Sequence, residues 1–138
     1  MPRVWRDIEL AEDQTLEDLH LQIQRAFDWY DDHLYSYFMS GKGWDATTEI
    51  GCPWTEARLH THQVEIAQLN LQEGQTFLYL FDYGDNHEFN VTLRTVNPEA
   101  EKGSYPRTVG QRGEAPEQYP DYDEETGEPS CDPHAHWR

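Results

Sequence analysis

Asp82, Asp85 and His87 lie close together in the chain, and two carboxylates with an imidazole at that spacing fit a divalent metal ion or a general acid and base. The same stretch, Gly84-Asp85-Asn86, also supplies what a tight turn needs: residues that tolerate positive φ, and an Asp82 carboxylate able to cap backbone amides. The turn is the simpler account. Upstream, Trp29, Asp31, Asp32 and His33 could line a cleft, with Asp32 fixing the tautomer of His33 as an oriented acid–base pair. The plainer alternative makes Asp31 and Asp32 loop caps and His33 the start of a strand. Near the C-terminus, Cys131, His134 and His136 offer soft and borderline donors for Zn²⁺. A closed zinc site needs a fourth ligand, which only Asp132, His60 or His62 could add; a solvated terminus competes with that reading. No glycine-rich phosphate loop, Gly-x-Ser-x-Gly elbow, Cys-x-x-Cys or His-Glu-x-x-His is present.

These residues need elements to position them. Val4, Ile8 and Leu10 share one face of a strand period, and Thr15-Leu16-Glu17-Asp18 has the form of a capping box. Leu16, Leu19, Ile23, Ala26 and Phe27 follow as one apolar helical stripe, with acids at the start and Arg25 near the end to suit the macrodipole. Residues 33–39 read as a strand returning beside the first strand and the helix. Residues 40–63 read as a long excursion with a short helix near 55–59, followed by a brief strand at 63–66 and a helical turn at 67–71. From Thr76 the alternation of Phe77, Tyr79 and Phe81 with Leu78 and Leu80 predicts an interior strand apolar on both faces. A hairpin through Gly84-Asp85-Asn86 then leads to a strand over 87–94 that buries Phe89, Val91 and Leu93.

The chain has 138 residues, 27 acidic against 10 basic, for a formal charge of −17. Phosphate binding draws its affinity from Lys and Arg displacing counterions, so nucleic acid is not expected as a partner, nor an anionic membrane. With 5 Trp, 8 Tyr and 5 Phe there is enough apolar surface for a folded core. Residues 114–138 hold eight acids, one Arg and no Val, Ile, Leu, Met or Phe, which marks an acidic extension on a domain spanning 1–113. No apolar run approaches the roughly 18 residues of a membrane span. The N-terminus lacks a signal-peptide core, and Cys52 and Cys131 fit free thiols in a reducing compartment. A cytoplasmic location is therefore expected.

Three blocks resemble the plasmid pRiA4b Orf-3-like proteins. They are Thr15-Leu16-Glu17-Asp18-Leu19-His20 with Ile23-Gln24, Ala26-Phe27, Trp29 and His33-Leu34; the hairpin Phe77 to Asp85; and Tyr105-Pro106, Gly110, Gly113 and Ala115-Pro116-Glu117. The hairpin block is the most specific. The chain departs from the family pattern at His87, where many members have Trp, at Phe89, where they have His, and at Glu114 or Ala115, where a Cys is common. The resemblance implies a single α+β domain with a mixed or antiparallel sheet packed on helices in a roll-like arrangement. It supplies no activity, although some members travel on mobile elements.

The expectation is a non-catalytic binding or accessory module for a protein partner, with an aromatic cleft near Trp29, Tyr83 and Tyr105. No cofactor is assigned, although a divalent metal fits the acidic and imidazole clusters. One alternative is a metal-dependent hydrolase or nuclease-like enzyme using Asp82, Asp85 and His87, with Asp32 and His33. Another is an acidic decoy for nucleic-acid-binding proteins.

Overall fold

The computed structural model describes residues 4–31, 33–96 and 105–116. The helix α1, Leu16–Ala26, begins where the sequence places it. The Thr15 hydroxyl accepts the Asp18 amide at 3.2 Å, while the Asp18 carboxylate accepts the Thr15 amide at 2.9 Å, so two otherwise orphaned donors are satisfied. It ends in a Schellman turn. The Asp28 amide donates to the Arg25 carbonyl and the Trp29 amide to the Gln24 carbonyl, with Asp28 at φ +55° in the left-handed region. That reversal folds Trp29 back onto the core.

Five strands form the main sheet in the order β4-β3-β2-β5-β6: β2 is Tyr35–Phe38, β3 Glu49–Gly51, β4 Leu59–His60, β5 Thr76–Phe81 and β6 His87–Thr92. All neighbours are antiparallel except β3 and β4, which run parallel. β5 lies between β2 and β6, as its two apolar faces predict. Tyr35 and Tyr37 of β2, Phe77, Tyr79 and Phe81 of β5, and Phe89 of β6 pack with Leu16, Leu19, Ile23 and Phe27 of α1 in one aromatic-rich core. On the reverse face Phe38, Leu78 and Leu80 form a smaller cluster, against which Tyr83 packs. Trp44 lies over it, its ring 5.0 Å from Tyr83 and 5.9 Å from Phe38.

The first strand, β1 (Trp5–Glu9), does not join this sheet. It pairs antiparallel with β7, Arg107–Arg112, as a separate ribbon docked on α1. Gln22 Nε2 donates to Thr108 Oγ1 at 2.8 Å, and Arg6 Nε donates to the Ala26 carbonyl at 3.1 Å with its guanidinium over Phe27. The arrangement is the expected α+β domain, with a single α-helix among the described residues. No helix among them is long and apolar enough to cross a membrane.

Two segments differ from expectation. No helix forms at 55–59; the chain turns tightly after β3, the Thr55 amide donating to the Cys52 carbonyl at 3.1 Å, so that β4 can lie alongside β3. Residues 61–63 and 66–69 are 3₁₀ turns, and the strand expected at 63–66 shrinks to one bridge between Glu65 and Thr15. Gly51 makes the tight turn possible, because a Cβ there would meet Thr55 Oγ1 and lie 2.8 Å from Ala57 Cβ. Gly51→Ala is therefore expected to cost about 2 kcal/mol through overpacking, read as a lowered midpoint in urea unfolding.

Candidate functional site

His20 and Gln24 stand one turn apart on the buried stripe of α1, both facing β5. Burying polar groups in an aromatic core is costly unless their hydrogen bonds are made. Here they form a chain with one consistent direction. Gln24 Nε2 donates to Tyr79 Oη at 2.9 Å, leaving the single Tyr79 proton for His20 Nδ1 at 2.6 Å. His20 Nε2 therefore carries the proton and donates it to Asp31 Oδ1 at 2.8 Å. The imidazole also stacks on Tyr35, with 3.5 Å between centroids and planes 5° apart. At 1% exposure His20 is sealed from solvent, whereas the Asp31 side chain remains 45% exposed. The chain thus runs from the core to a carboxylate held at the surface.

Burial lowers the His20 pKa, outweighing the Asp31 charge and hydrogen bond, which raise it. Burial likewise pushes the Tyr79 hydroxyl well above its ordinary value, so it stays a donor. In the unfolded chain an imidazole takes up its proton near pH 6.5; in the folded chain His20 does so only at lower pH. The stability this group contributes is full above about pH 6.5 and is lost as pH falls through that value toward the depressed folded pKa. The thermal midpoint is expected to fall between pH 7.5 and 5.5 more steeply in the native chain than in His20→Gln; equal slopes would contradict the assignment.

Asp31 stands at the edge of an open concavity of about 610 Å³ lined by residues of α1, by His33 and Leu34, and by the 52–54 turn. Glu17 adds a second carboxylate, Tyr35 and Cys52 contribute to its lining, and Pro53 and Trp54 form part of the wall. Trp54 is 85% exposed, and among the described residues no Lys or Arg lines the space. Two acids beside aromatic faces suit an organic cation.

The hairpin residues lie next to this concavity, joined to it by His33, which lines it. Asp82 follows β5 at φ +66°, and its Oδ1 accepts the Gly84 and Asp85 amides at 3.1 and 3.2 Å, which is the turn-capping role its sequence context suggests. Its Oδ2 faces His33 Nε2 at 3.4 Å. Asp85 Oδ2 lies 4.0 Å from His87 Nε2, and one ligand atom from each of Asp82, Asp85 and His87 falls within 4.8 Å of the others. Asp32 lies outside the described residues, as do Cys131, His134 and His136.

The single cleft expected of Trp29, Tyr83 and Tyr105 does not form. Trp29 packs on the helix side of the sheet against Phe81, His87 and Phe89, and its Nε1 donates to the Pro116 carbonyl at 2.7 Å. Tyr83 belongs to the opposite face, where its hydroxyl meets Ser36 Oγ at 2.6 Å and burial pushes its pKa up to about 12. The alternation of β2 separates them, since Ser36 and Tyr35 project from opposite faces. Tyr105 packs beneath the Arg107 guanidinium on the β1–β7 ribbon. The sequence did carry a signal for His20 and Gln24, as polar residues on an otherwise apolar helical stripe. It carried none for Trp54.

Among solved structures, the crystal structure of a protein of unknown function, MM3350 from Methanosarcina mazei Go1, superposes with a TM-score of 0.66 at 28% identity. The match covers 91% of this chain and 66% of that one. The uncharacterized protein y4hQ of Sinorhizobium fredii (strain NBRC 101917 / NGR234) is 26% identical over 98 residues, 70% of this chain. The matched region spans about half of that relative's length, 49%. A family model matches residues 1–124, nearly the whole chain. The chain belongs to the plasmid pRiA4b ORF-3-like protein family.

Proposed function

We propose that this domain is a non-catalytic binding module whose concavity beside α1 receives a Lys or Arg side chain from a protein partner. The observation that carries the reading is the pairing of Glu17 and Asp31 with Tyr35 and exposed Trp54 in a space that no Lys or Arg lines among the described residues. The buried chain through His20 and Tyr79 supports it, because it fixes Asp31 in advance and so lowers the ordering cost of binding. The charge of −17 favours a basic partner, drawing it in by long-range attraction. A cytoplasmic location belongs to this reading, with Cys52 buried as a free thiol.

Calorimetric titration with short neutral-capped peptides tests it. Peptides centred on Arg or Lys should bind, and a Glu-centred peptide should not. Glu17→Gln and Asp31→Asn should each weaken binding by roughly tenfold, the scale of one charge-assisted hydrogen bond. Equal binding of the Arg and Glu peptides, or indifference to both substitutions, would exclude the pocket as a cation site.

A further inference from the structure

We propose that His20 is a proton-operated switch on the concavity: with a neutral imidazole Asp31 holds the partner's basic side chain, and with a protonated one the Asp31 charge is neutralised and the side chain is released. The inference rests on the cation-pocket reading and adds its regulation.

The first support is position. His20 and Asp31 both line the concavity, and His20 Nε2 donates to Asp31 Oδ1 at 2.8 Å. While Nδ1 accepts the Tyr79 proton at 2.6 Å, that bond joins a neutral ring to a carboxylate, whose charge stays available to a ligand. A proton gained at Nδ1 converts the pair into an imidazolium and a carboxylate in contact, with no net charge. A bound basic side chain and the proton on His20 therefore oppose one another through a single carboxylate.

The second is a buried network that can close in both states. Gln24 is 3% exposed, yet its Oε1 has no hydrogen-bond partner among the described residues. With His20 neutral, it is Gln24 Nε2 that donates to Tyr79 Oη, at 2.9 Å. Once Nδ1 carries a proton, Tyr79 Oη must accept from it, and the Tyr79 proton needs a new acceptor. A half-turn of the Gln24 amide places Oε1 where Nε2 had been and supplies that acceptor. Each orientation leaves one amide group unpaired, so the turn adds no buried orphan.

The charged and titratable groups around the ring fix the direction of the response. Glu17 comes from α1, Tyr35 from β2, Tyr79 from β5, Asp31 from the segment after the helix and Cys52 from the turn after β3, while His33 lines the same space. Burial raises the pKa of Tyr35 and of Tyr79, so both keep their protons in neutral and acid solution. Burial also lowers that of His20 against the pull of Asp31, which sets the switch below about pH 6.5. A cation seated on Asp31 offsets the charge that favours imidazolium and lowers it further.

The test measures calorimetric binding of the Arg-centred peptide from pH 7.5 to pH 5.0 in the native full chain, in His33→Gln and in His20→Gln, with circular dichroism confirming the fold at each pH. Affinity should fall roughly tenfold toward the acid end in the native chain and in His33→Gln, the usual scale of coupling between two sites. That fall should be lost in His20→Gln. A second measurement needs no variant: the His20 imidazole resonance of the native chain, assigned through its contacts with the Tyr35 ring, should titrate at lower pH when the peptide is bound, its proton affinity reduced by the same roughly tenfold factor. Binding that ignores pH, a pH dependence that persists in His20→Gln, or an imidazole titration unmoved by the peptide would overturn the switch and leave the cation pocket standing. Absence of binding at pH 7.5 would overturn both.

Discussion

His20→Ala is expected to destabilise the domain by about 3–4 kcal/mol. The substitution removes the ring stacked on Tyr35 and opens a cavity between α1 and β5, where large-to-small changes cost about 2–5 kcal/mol. It also leaves the Tyr79 hydroxyl without its acceptor in a fully buried position, an unsatisfied group worth about 1–3 kcal/mol. Asp31 can turn to water, so its loss adds little to stability. The effect on the pocket should be separable: Tyr79→Phe keeps the ring and stack but removes the hydroxyl, and should cost only about 2 kcal/mol. Urea unfolding of the two variants reads the difference directly. If they unfold at the same midpoint, the stacked imidazole contributes less than its geometry implies.

Trp29→Ala should cost a similar amount, about 3–5 kcal/mol. The indole touches Phe27, Phe81, His87 and Phe89, so its loss opens the core at the end of the helix. Its Nε1 also ties down the Pro116 carbonyl, so residues 114–116 lose an anchor to the sheet. Trp29→Phe, which retains most of the apolar contact, should cost about 1–2 kcal/mol, mostly from the unpaired carbonyl. Amide hydrogen exchange should then rise in the 107–116 segment in both variants. Unchanged exchange there would show that β7 is held by β1 and the Gln22–Thr108 hydrogen bond without help from Trp29.

The parts of this fold that are legible in the sequence are those whose stabilisation is local. Thr15 and Asp18 announce the start of α1 because their capping bonds span three residues. β5 announces itself through an unbroken apolar alternation that only an interior strand tolerates. β7 is the opposite case. Its residues Arg107 to Arg112 include one aliphatic side chain, Val109, which is exposed, and its partner β1 lies about a hundred residues earlier. No periodicity marks a strand whose pairing is long-range and whose faces are mostly solvated.

The site divides in the same way. Asp82, Asp85 and His87 are adjacent in sequence and adjacent in space, so their cluster could be foreseen. His33 reaches Asp82 only because β2 and β5 pair in a register that sets Tyr35 opposite Phe81. Trp54 lines the same space as Glu17 and Asp31 because Gly51 lets the chain turn tightly beside Thr55 and Ala57. Trp29 and Tyr83 illustrate the converse, two aromatics that composition groups together and strand alternation puts on opposite faces.

If the Glu17–Asp31–Trp54 concavity takes a basic side chain, the Trp54 indole reports it at the site of contact. In ¹⁵N-labelled protein, the indole resonance assigned by Trp54→Phe should shift saturably on titration with an Arg-centred peptide. The shift should shrink with added salt and vanish in the Glu17→Gln/Asp31→Asn double variant. An indole resonance that stays fixed while the peptide binds, or that moves equally in the double variant, would show that the partner is recognised elsewhere.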